Sequence, residues 1–599
     1  MISRHKVYFK DGTYKTQIRV VEGYRPGPNL PPKQRQIKNF GYLEDHVEDR
    51  DDFLNEVEEC NNNLNKAKEK IEVSLDPNLK LNESKRLSLG HKYLEPIYNF
   101  LELDSFFEKL ETKATYDVGK IFKFLVLERI LDPDSKFSTC QIKEYQYNED
   151  NDFEYHQVMR ALDFIDEYKE ELQDHLNKII LEKAGRNTEY MFYDTSNVYV
   201  ERDYALEGHL PQKGVSKEHR TEPIVQFGLL MDSNYLPVRL QLFPGNTSDS
   251  KTYLSVIKSL KEKYGLERLI AVADKGMNSD ENISYLYFNG DGYVFSQILK
   301  GKKGKRYHEL MFEDDKFTYN SDRTYKYRLV DEEYTYKEKD SKGKVIREEK
   351  RKRKVLIYWK ESIARREKEK RNKKILQAQR ALENNAYGLT HDATKYLSSM
   401  HYDSTTGIIA DKEEKEIDFE KIHEDEKFDG FFCIVTSELN YDSHKIHTVY
   451  NQLSKIEEAF RICKSTLGIR PLYVWSDKHI SAHFQICFTS LLILRLIKLK
   501  LKDKTISEER IQRTLSSIGV EEISKGILRL SLYNQRNKYK IKKDEEDNEY
   551  ISTELTTKEE IVEDLKQIQE MLGNEFLYVN VRRENLNQHL RKLNFTITK

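Results

Sequence analysis

Three carboxylates in this chain have sequence settings that suit metal-assisted chemistry. Asp194 and Asp274 each end a short apolar run typical of a buried strand. Glu457 lies in a later segment, residues 450–464, whose apolar residues recur mostly at three-, four- and seven-residue steps. That period predicts an amphipathic helix. Two acids at strand ends and a third on a later helix can converge at one edge of a mixed sheet.

Acids that converge in this way need a counter-charge. Three carboxylates within ~4–5 Å of one another repel by several kcal/mol at an effective dielectric constant of about 20. A hard cation such as Mg²⁺ prefers oxygen ligands and would neutralise them. Two such ions about 3.5–4 Å apart can activate a water and stabilise the leaving oxygen of a phosphodiester. We therefore expect a site for two Mg²⁺ ions, for which Mn²⁺ can substitute.

Three polar residues of the segment 450–464 are evenly spaced. Tyr450, Glu457 and Lys464 follow one another at intervals of seven residues. A straight helix drifts only about 20° per seven residues, so the three side chains would lie close to one line. Glu458 would be turned from that line by about 100°, which favours Glu457 as the site acid. The alternative is a half-buried helix with charged residues on its solvent face.

Composition limits the class of protein. The 599 residues are enough for three or four domains. Lys and Arg number 100 against 102 Asp and Glu, so any nucleic-acid contact requires clustered basic residues. The five cysteines are widely spaced and form no C-x-x-C pair, which argues against disulfides or zinc and indicates a reducing cytoplasm. The apolar run 486–499 contains Arg495 and Lys498 and predicts a buried helix rather than a membrane span.

Changes of period along the chain predict an α/β core preceded by a helical region. Each region is a prediction from composition and hydrophobic pattern. The six regions are a β-hairpin and charged helical region that could contact DNA (1–85), a helical region expected to bind DNA (86–187), the first part of the core (188–299), a β-rich insertion with a charged helical arm (300–429), the second part of the core (430–500) and a helical C-terminal region that could mediate oligomerisation (501–599).

Basic residues cluster at three places outside the acidic segments. For each cluster, phosphate contact is one expectation and ordinary solvent exposure is the other. The clusters are the hairpin residues Lys33, Arg35 and Lys38, the loop residues Lys217, His219 and Arg220, and the run Lys350, Arg351, Lys352, Arg353 and Lys354. His479 and His483 have the spacing of a zinc pair, but Ile480 follows the first, so H-E-x-x-H is not met and packing or DNA contact is favoured.

The acidic segments, in this order, resemble the three motifs of DDE transposases from bacterial insertion sequences. The closest group is the insertion-sequence-four superfamily, which has a Tyr–Arg–Glu–Lys pattern around its third acid. Segments 214–220, 243–249 and 470–483 are similar to further parts of one branch of that group. The motifs are Tyr193-Asp194-Thr195-Ser196, Ala273-Asp274-Lys275-Gly276-Met277 and Tyr450…Ile456-Glu457-Glu458…Phe460-Arg461…Lys464.

The resemblance implies an RNase H-like core with a β-rich insertion before the third acid. It implies that Asp194, Asp274 and Glu457 are the metal ligands, and that Tyr450 and Lys464 contact DNA phosphate near the cut. The partners would be the terminal inverted repeats and target DNA, with a homodimer in the complex.

One position departs from the family pattern, because Leu453 stands where the family has an arginine. The phosphate contact of that arginine is then absent or is supplied by Lys455 or Arg461. Two other classes of function remain open on the sequence. One is a metal-dependent nuclease without strand transfer, and the other is an inactive DNA-binding protein that keeps a degenerate core.

Overall fold

The computed structural model divides the chain into two compact units. One comprises Met1–Lys80 with Ile523–Ile527, and the other comprises Leu81–Glu522 with Leu528–Lys599. The structure describes residues 2–24, 33–47, 49–66, 85–202, 204–214, 221–264, 268–340, 342–383, 395–397, 417–532, 539–543, 549–553 and 558–597.

The first unit contains a three-stranded antiparallel sheet in the order β1-β2-β3. The predicted basic return strand is confirmed, since β3 pairs with β2 along its length. Ile18 and Val20 of the sheet are buried together with Phe53 and Val57 of the helix. The elements are β1 (Ile2–Tyr8), β2 (Tyr14–Tyr24), β3 (Lys33–Tyr42) and α1 (Arg50–Lys66). Residues 67–84, which were expected to be helical, lie outside the described residues.

A layer of helices begins the second unit, as the hydrophobic spacing predicted. The helix α4 is buried on nearly all sides, and this agrees with its mainly apolar sequence. The elements are β4 (Arg86–Ser88), α2 (Gly90–Phe100), α3 (Leu103–Glu108), α4 (Val118–Leu131), α5 (Lys136–Gln141), α6 (Tyr155–Glu167) and α7 (Lys169–Lys183).

The core sheet follows, with three parallel strands at its centre. β5 pairs with β8 and β8 with β9 in parallel, while β6 and β7 add to β5 as antiparallel strands. The order β7-β6-β5-β8-β9 is the RNase H-like arrangement that the sequence led us to expect. The elements are β5 (Tyr190–Tyr199), β6 (Ile224–Met231), β7 (Pro237–Pro244), α8 (Asp249–Tyr264), β8 (Ile270–Ala273), α9 (Asp280–Phe288) and β9 (Gly292–Ser296).

The insertion extends this sheet. Its long hairpin β11–β12 joins the core through β13, which pairs with both β12 and β9. The result is a nine-stranded sheet in the order β10-β11-β12-β13-β9-β8-β5-β6-β7. The elements are α10 (Gly301–Gly304), α11 (His308–Phe312), β10 (Thr318–Tyr319), β11 (Tyr325–Lys339), β12 (Val345–Lys360), α12 (Glu361–Glu383), α13 (Phe419–Glu426) and β13 (Phe431–Thr436).

The expectation of one helix over residues 450–464 is wrong. The segment contains the end of α14 (Ser443–Asn451), then α15 (Ser454–Arg461) and a π-helical turn, Ile462–Thr466. Tight i→i−3 hydrogen bonds, from Leu453 N to Tyr450 O and from Ile456 N to Leu453 O, join the two helices. Leu453 and Ile456 are both buried, 6% and 1% exposed, on the face of this segment that packs against the core.

The next helix, α16 (Asp477–Lys500), is the centre of the second unit. Of the described helices, it is the one with the length and composition to cross a membrane, but its apolar stretch is fully buried inside the protein. The prediction of a buried helix is therefore confirmed.

The C-terminal region is less helical than expected. Its strands β14, β15 and β18 form a four-stranded sheet with β4, in the order β18-β15-β14-β4, in which β14 pairs with β4. Strands such as 527–532 alternate apolar and polar residues, a period that the surrounding charged residues obscured. The elements are α17 (Glu508–Ser517), β14 (Ile518–Ser524), β15 (Ile527–Leu532), β16 (Tyr539–Lys543), β17 (Glu549–Thr553), α18 (Lys558–Met571), β18 (Asn580–Arg582) and α19 (Arg583–Lys592).

Candidate active site

Two of the predicted acids lie side by side in the central sheet. The parallel pairing of β5 with β8 ends at Tyr193 and Ala273, so Asp194 and Asp274 are the next residues on adjacent strands. Neighbouring strands lie about 4.8 Å apart. The expectation that Asp194 ends its strand is wrong, because antiparallel pairing with β6 continues β5 to Tyr199. Asp274 does follow the last residue of β8.

The alternation of side chains places both acids on one face of the sheet. Tyr193 and Ala273 belong to the apolar cluster on one face. Phe192 and Val272 belong to the cluster on the other face, which also contains Ile456 of α15. Successive side chains on a strand point to opposite faces, so Asp194 and Asp274 share the face of Phe192 and Val272. That face is covered by α14 and α15.

Asp274 is held by two hydroxyl groups. Ser296 Oγ donates a hydrogen bond of 2.6 Å to Asp274 Oδ1, and the Tyr450 hydroxyl donates one of 3.2 Å to the same oxygen. Burial raises the pKa of Tyr450 far above its usual value, and the charge of Asp274 adds to the shift. The phenol therefore stays protonated and acts as a donor. The predicted phosphate contact of Tyr450 stays a prediction, but its position beside Asp274 is a fact of the structure.

Glu457 and Glu458 have different surroundings. Glu457 is exposed, and among the described residues the structure gives it no hydrogen bond or ion pair. Glu458 accepts a hydrogen bond of 2.9 Å from Lys455 and lies 3.6 Å from Arg495. Partial burial opposes ionisation of Glu458, but these two cations lower its pKa overall. Glu457 is therefore the acid that remains available for a ligand.

The three predicted acids do not yet form a closed metal site. Within the described part of the chain, the group whose ligand atoms all lie within 4.8 Å of one another is His91, Glu95 and Glu149. That group already contains a cation, since the Lys92 ammonium donates to Glu95 over 3.1 Å and to Glu149. Burial also lowers the pKa of His91 to about 3. We interpret this cluster as a neutralised buried ion pair.

A fourth acid, Asp249, supports the site from the opposite face of the sheet. Its Oδ1 accepts a hydrogen bond of 2.7 Å from Thr195 Oγ1 and another from the Gln226 amide. The Thr195 backbone N–H in turn donates to Asp194 Oδ1 over 2.7 Å. A methyl group added at Gly276 would lie 3.3 Å from Asp249 Oδ2. Asp249 thus touches the residues that follow both strand acids.

Sequence reasoning missed this role of Asp249. It read the segment 244–249 as a loop that supplies a helix N-cap. The signal that could have found it is the similarity of segment 243–249 to the family, because that segment carries an acid between the first two motifs.

The run 350–354 is an extended strand, β12, and not a turn. Lys350, Arg351 and Lys352 are exposed, although Arg351 also donates to the Tyr287 hydroxyl over 2.9 Å. Arg353 is fully buried, and its expected DNA contact is corrected, because a guanidinium enclosed in this way cannot reach a phosphate. Lys354 is half-buried and donates to the carbonyl of Tyr441 over 2.8 Å.

Three groups enclose the Arg353 side chain. Its Nε lies 2.7 Å from Glu332 Oε2, and its Nη2 donates to the Tyr307 hydroxyl over 2.9 Å. The guanidinium carbon lies 3.7 Å from the centre of the Tyr334 ring. Arg353 is therefore a structural residue of the insertion.

The remaining basic candidates fall into two groups. Arg461 is exposed at the end of α15, and Lys464 is half-buried in the π-helical turn. The predicted contacts Lys217, His219 and Arg220 lie outside the described residues.

The two histidines of α16 do not form a metal pair. His483 is buried and is hydrogen-bonded to Lys136 and to the carbonyl of Ile469, so its packing interpretation is confirmed. His479 lies at the start of the helix, 3.4 Å from Asp163.

One segment of the chain is similar to a known protein family. Residues 208–493 match the family model of the transposase DDE domain. That segment is therefore similar to a transposase DDE domain. The match includes Asp274 and Glu457 and begins after Asp194.

The other comparisons concern curated proteins and solved structures. No curated protein matches the chain. Among solved structures, it is similar to the cryo-EM structure of the piggyBac transposase synaptic complex with hairpin DNA, with a TM-score of 0.32 and 9% identity. That similarity covers 72% of this chain and 78% of the other.

Proposed function

We propose that this protein is a transposase that binds the ends of a mobile DNA element and cuts and rejoins phosphodiester bonds. The observation that carries the proposal is the in-register position of Asp194 and Asp274 on adjacent parallel strands, on the face covered by α15. The DDE domain match supports the same class of protein.

The donor set fits divalent metal ions. All three acids offer carboxylate oxygens, which suit Mg²⁺ or Mn²⁺ rather than a soft metal. Asp194, Asp274 and Glu457 would hold the ions, which supply an activated water and stabilise the leaving oxygen. Mutual repulsion favours a separated arrangement of the three carboxylates, and bound cations offset that repulsion.

The chain's own residues orient the site. The Tyr450 and Ser296 hydroxyls fix one oxygen of Asp274, leaving its other oxygen for a ligand. The Thr195 backbone N–H fixes one oxygen of Asp194 in the same way. Glu457 stands on α15, whose buried Ile456 and Phe460 fix the helix against the sheet. These contacts hold two acids rigidly, and the third is free to adjust.

The partners of this activity are proposed on the same grounds. The protein would bind the terminal repeats of its element and a target duplex, as a homodimer in the DNA complex. All five cysteines are free thiols, which supports a cytoplasmic protein.

The test uses purified full-length protein and linear DNA that carries the sequences flanking its coding region. With Mg²⁺ or Mn²⁺ we expect cleavage at the ends and products joined to a supercoiled target, and none of either in excess EDTA. Asp194→Asn and Asp274→Asn should abolish both activities while retaining DNA binding. Cleavage without joined products would indicate the nuclease, and binding without cleavage under any metal would indicate the inactive binder.

A further inference from the structure

The small sheet of the first unit has one covered face and one polar face. Ile18 and Val20 of β2 are fully buried against Phe53 and Val57 of α1. Side chains alternate along a strand, so Gln17 and Arg19 belong to the opposite face.

Strand pairing extends the polar face across all three strands. His5 of β1 lies opposite Gln17, and Asn39 of β3 lies opposite Arg19. Beyond Val20 the pairing of β2 with β3 shifts register, and Val21 is buried, so the polar face ends there. We name His5, Gln17, Arg19 and Asn39 the outer face. His5 and Asn39 are exposed, and Gln17 and Arg19 are half-exposed.

The residue types on the outer face suit the edges of base pairs. Arginine pairs in a bidentate manner with guanine, and glutamine or asparagine pairs in the same manner with adenine. Arg19 Nε donates to Gln17 Oε1 over 2.8 Å, so the two side chains are oriented together before any ligand arrives.

Two neighbouring strands of the sheet fit the major groove of duplex DNA. The groove is about 12 Å wide and admits a two-stranded β-ribbon, and β1 and β2, about 4.8 Å apart, carry His5, Gln17 and Arg19. Sheets and ribbons are known to read DNA from within a groove. The other face is occupied by α1, so the outer face is the one that could enter.

Charge supports the same partner. The whole chain has a net charge of −2, but residues 1–45 contain nine Lys or Arg and four Asp or Glu. Arg4 and Lys6 of the edge strand β1 lie opposite Ile18 and Thr16, on the side of the covered face. Their side chains and that of Lys10 are exposed at this edge, where they could contact phosphates next to a groove. A polar face with basic residues beside it is complementary to duplex DNA, which combines charged phosphates with hydrogen-bonding base edges.

We propose that the outer face reads base sequence in the major groove of duplex DNA and so gives the protein its sequence specificity. The inference rests on the proposed function in one respect, namely that the sequence read would be that of the element ends. The face itself is argued from the first unit alone.

The test selects duplexes from a random-sequence pool with the full-length protein. The wild type should enrich a defined motif. Arg19→Ala should weaken binding to the selected duplex by about 5- to 150-fold, which is the range of one good bidentate base contact. Gln17→Ala should relax the preference at a neighbouring position. Affinity for an unrelated duplex should change less than ~3-fold in both variants.

Two further variants control the interpretation. Arg50→Ala removes the same charge from the start of α1 and should leave the motif unchanged. Arg19→Lys keeps the charge but loses the planar fork, and it should lose the preference for guanine. A thermal melt confirms that each variant is folded.

The outcomes separate this inference from the proposed function. A wild type that enriches no duplex motif, that prefers RNA or single strands, or whose motif is unchanged in Arg19→Ala and Gln17→Ala would overturn the inference. A protein that selects its motif through these residues but neither cuts nor joins DNA would uphold the inference and refute the proposed function.

Discussion

The choice between neighbouring glutamates tests the site most sharply. We expect Glu457→Gln to fold and to bind DNA but to cut it at least ~100-fold more slowly, which corresponds to about 2.7 kcal/mol in barrier. Glutamine keeps the size of the side chain and removes its charge. One unit charge at about 4 Å is worth about 4 kcal/mol at an effective dielectric constant of about 20, so the loss of one charge can account for this effect.

Glu458→Gln should retain most activity and lose a little stability. Glu458 is paired with Lys455 on the surface and lies 3.6 Å from Arg495. Arg495 keeps its second partner, Glu508, at 2.8 Å, so no buried cation is left alone. Surface pairs contribute about 0.2–1 kcal/mol, and the melting temperature should fall by a few degrees at most.

The assay measures cleavage of end-containing DNA by both purified variants under single-turnover conditions, with a thermal melt for each. DNA binding in Ca²⁺ checks that a slow variant still engages its substrate. An active Glu457→Gln beside an inactive, folded Glu458→Gln would refute the orientation of α15 on which the site is built.

Three further predictions concern Asp249, the insertion and pH. Asp249→Ala removes the acceptor for two side-chain donors and should slow cleavage about tenfold. Asp249→Asn keeps an acceptor oxygen, so its cleavage rate should stay within ~3-fold of the wild type. Equal losses of rate in the two variants would mean that the charge of Asp249 itself matters. Arg353→Ala should destabilise the fold by roughly 2–4 kcal/mol, because it empties the space over the Tyr334 ring and leaves Arg306 as the cation near the Tyr307 hydroxyl and Glu332. Lys352→Ala should change stability by less than ~0.5 kcal/mol in denaturant titrations. Burial raises the pKa of Glu128 from 4.5 to about 7, so between these two pH values the native state keeps a proton that the unfolded state has released. The free energy of unfolding is therefore highest below pH 4.5 and falls as the pH rises to about 7. Urea midpoints of Glu128→Gln should be flatter over that interval than those of the wild type.

Local sequence determined the parts that depend on period and composition. The apolar runs before Asp194 and Asp274 are strands because a buried parallel strand needs a continuous apolar run. The helix α16 was identified from its apolar run, and the hairpin β2–β3 from partial alternation and a turn-rich break. Each of these patterns lies within one short segment, although the core strands find their hydrogen-bond partners on distant strands.

Tertiary structure decided where these elements end and what surrounds the acids. β5 runs past Asp194 because β6 supplies partners as far as Tyr199. The helix expected over residues 450–464 is divided because i→i−3 hydrogen bonds replace the i→i−4 pattern between Tyr450 and Ile456.

Long-range contacts also decided which polar residues are available. Arg353 is buried by Glu332 and Tyr334 of the neighbouring strand, although its sequence neighbours are solvated. Asp249 reaches Thr195 across 54 positions of the chain. The sequence gives the type of each polar group, but its partners lie on other strands and helices, and only the packing of the sheet brings them within hydrogen-bond distance.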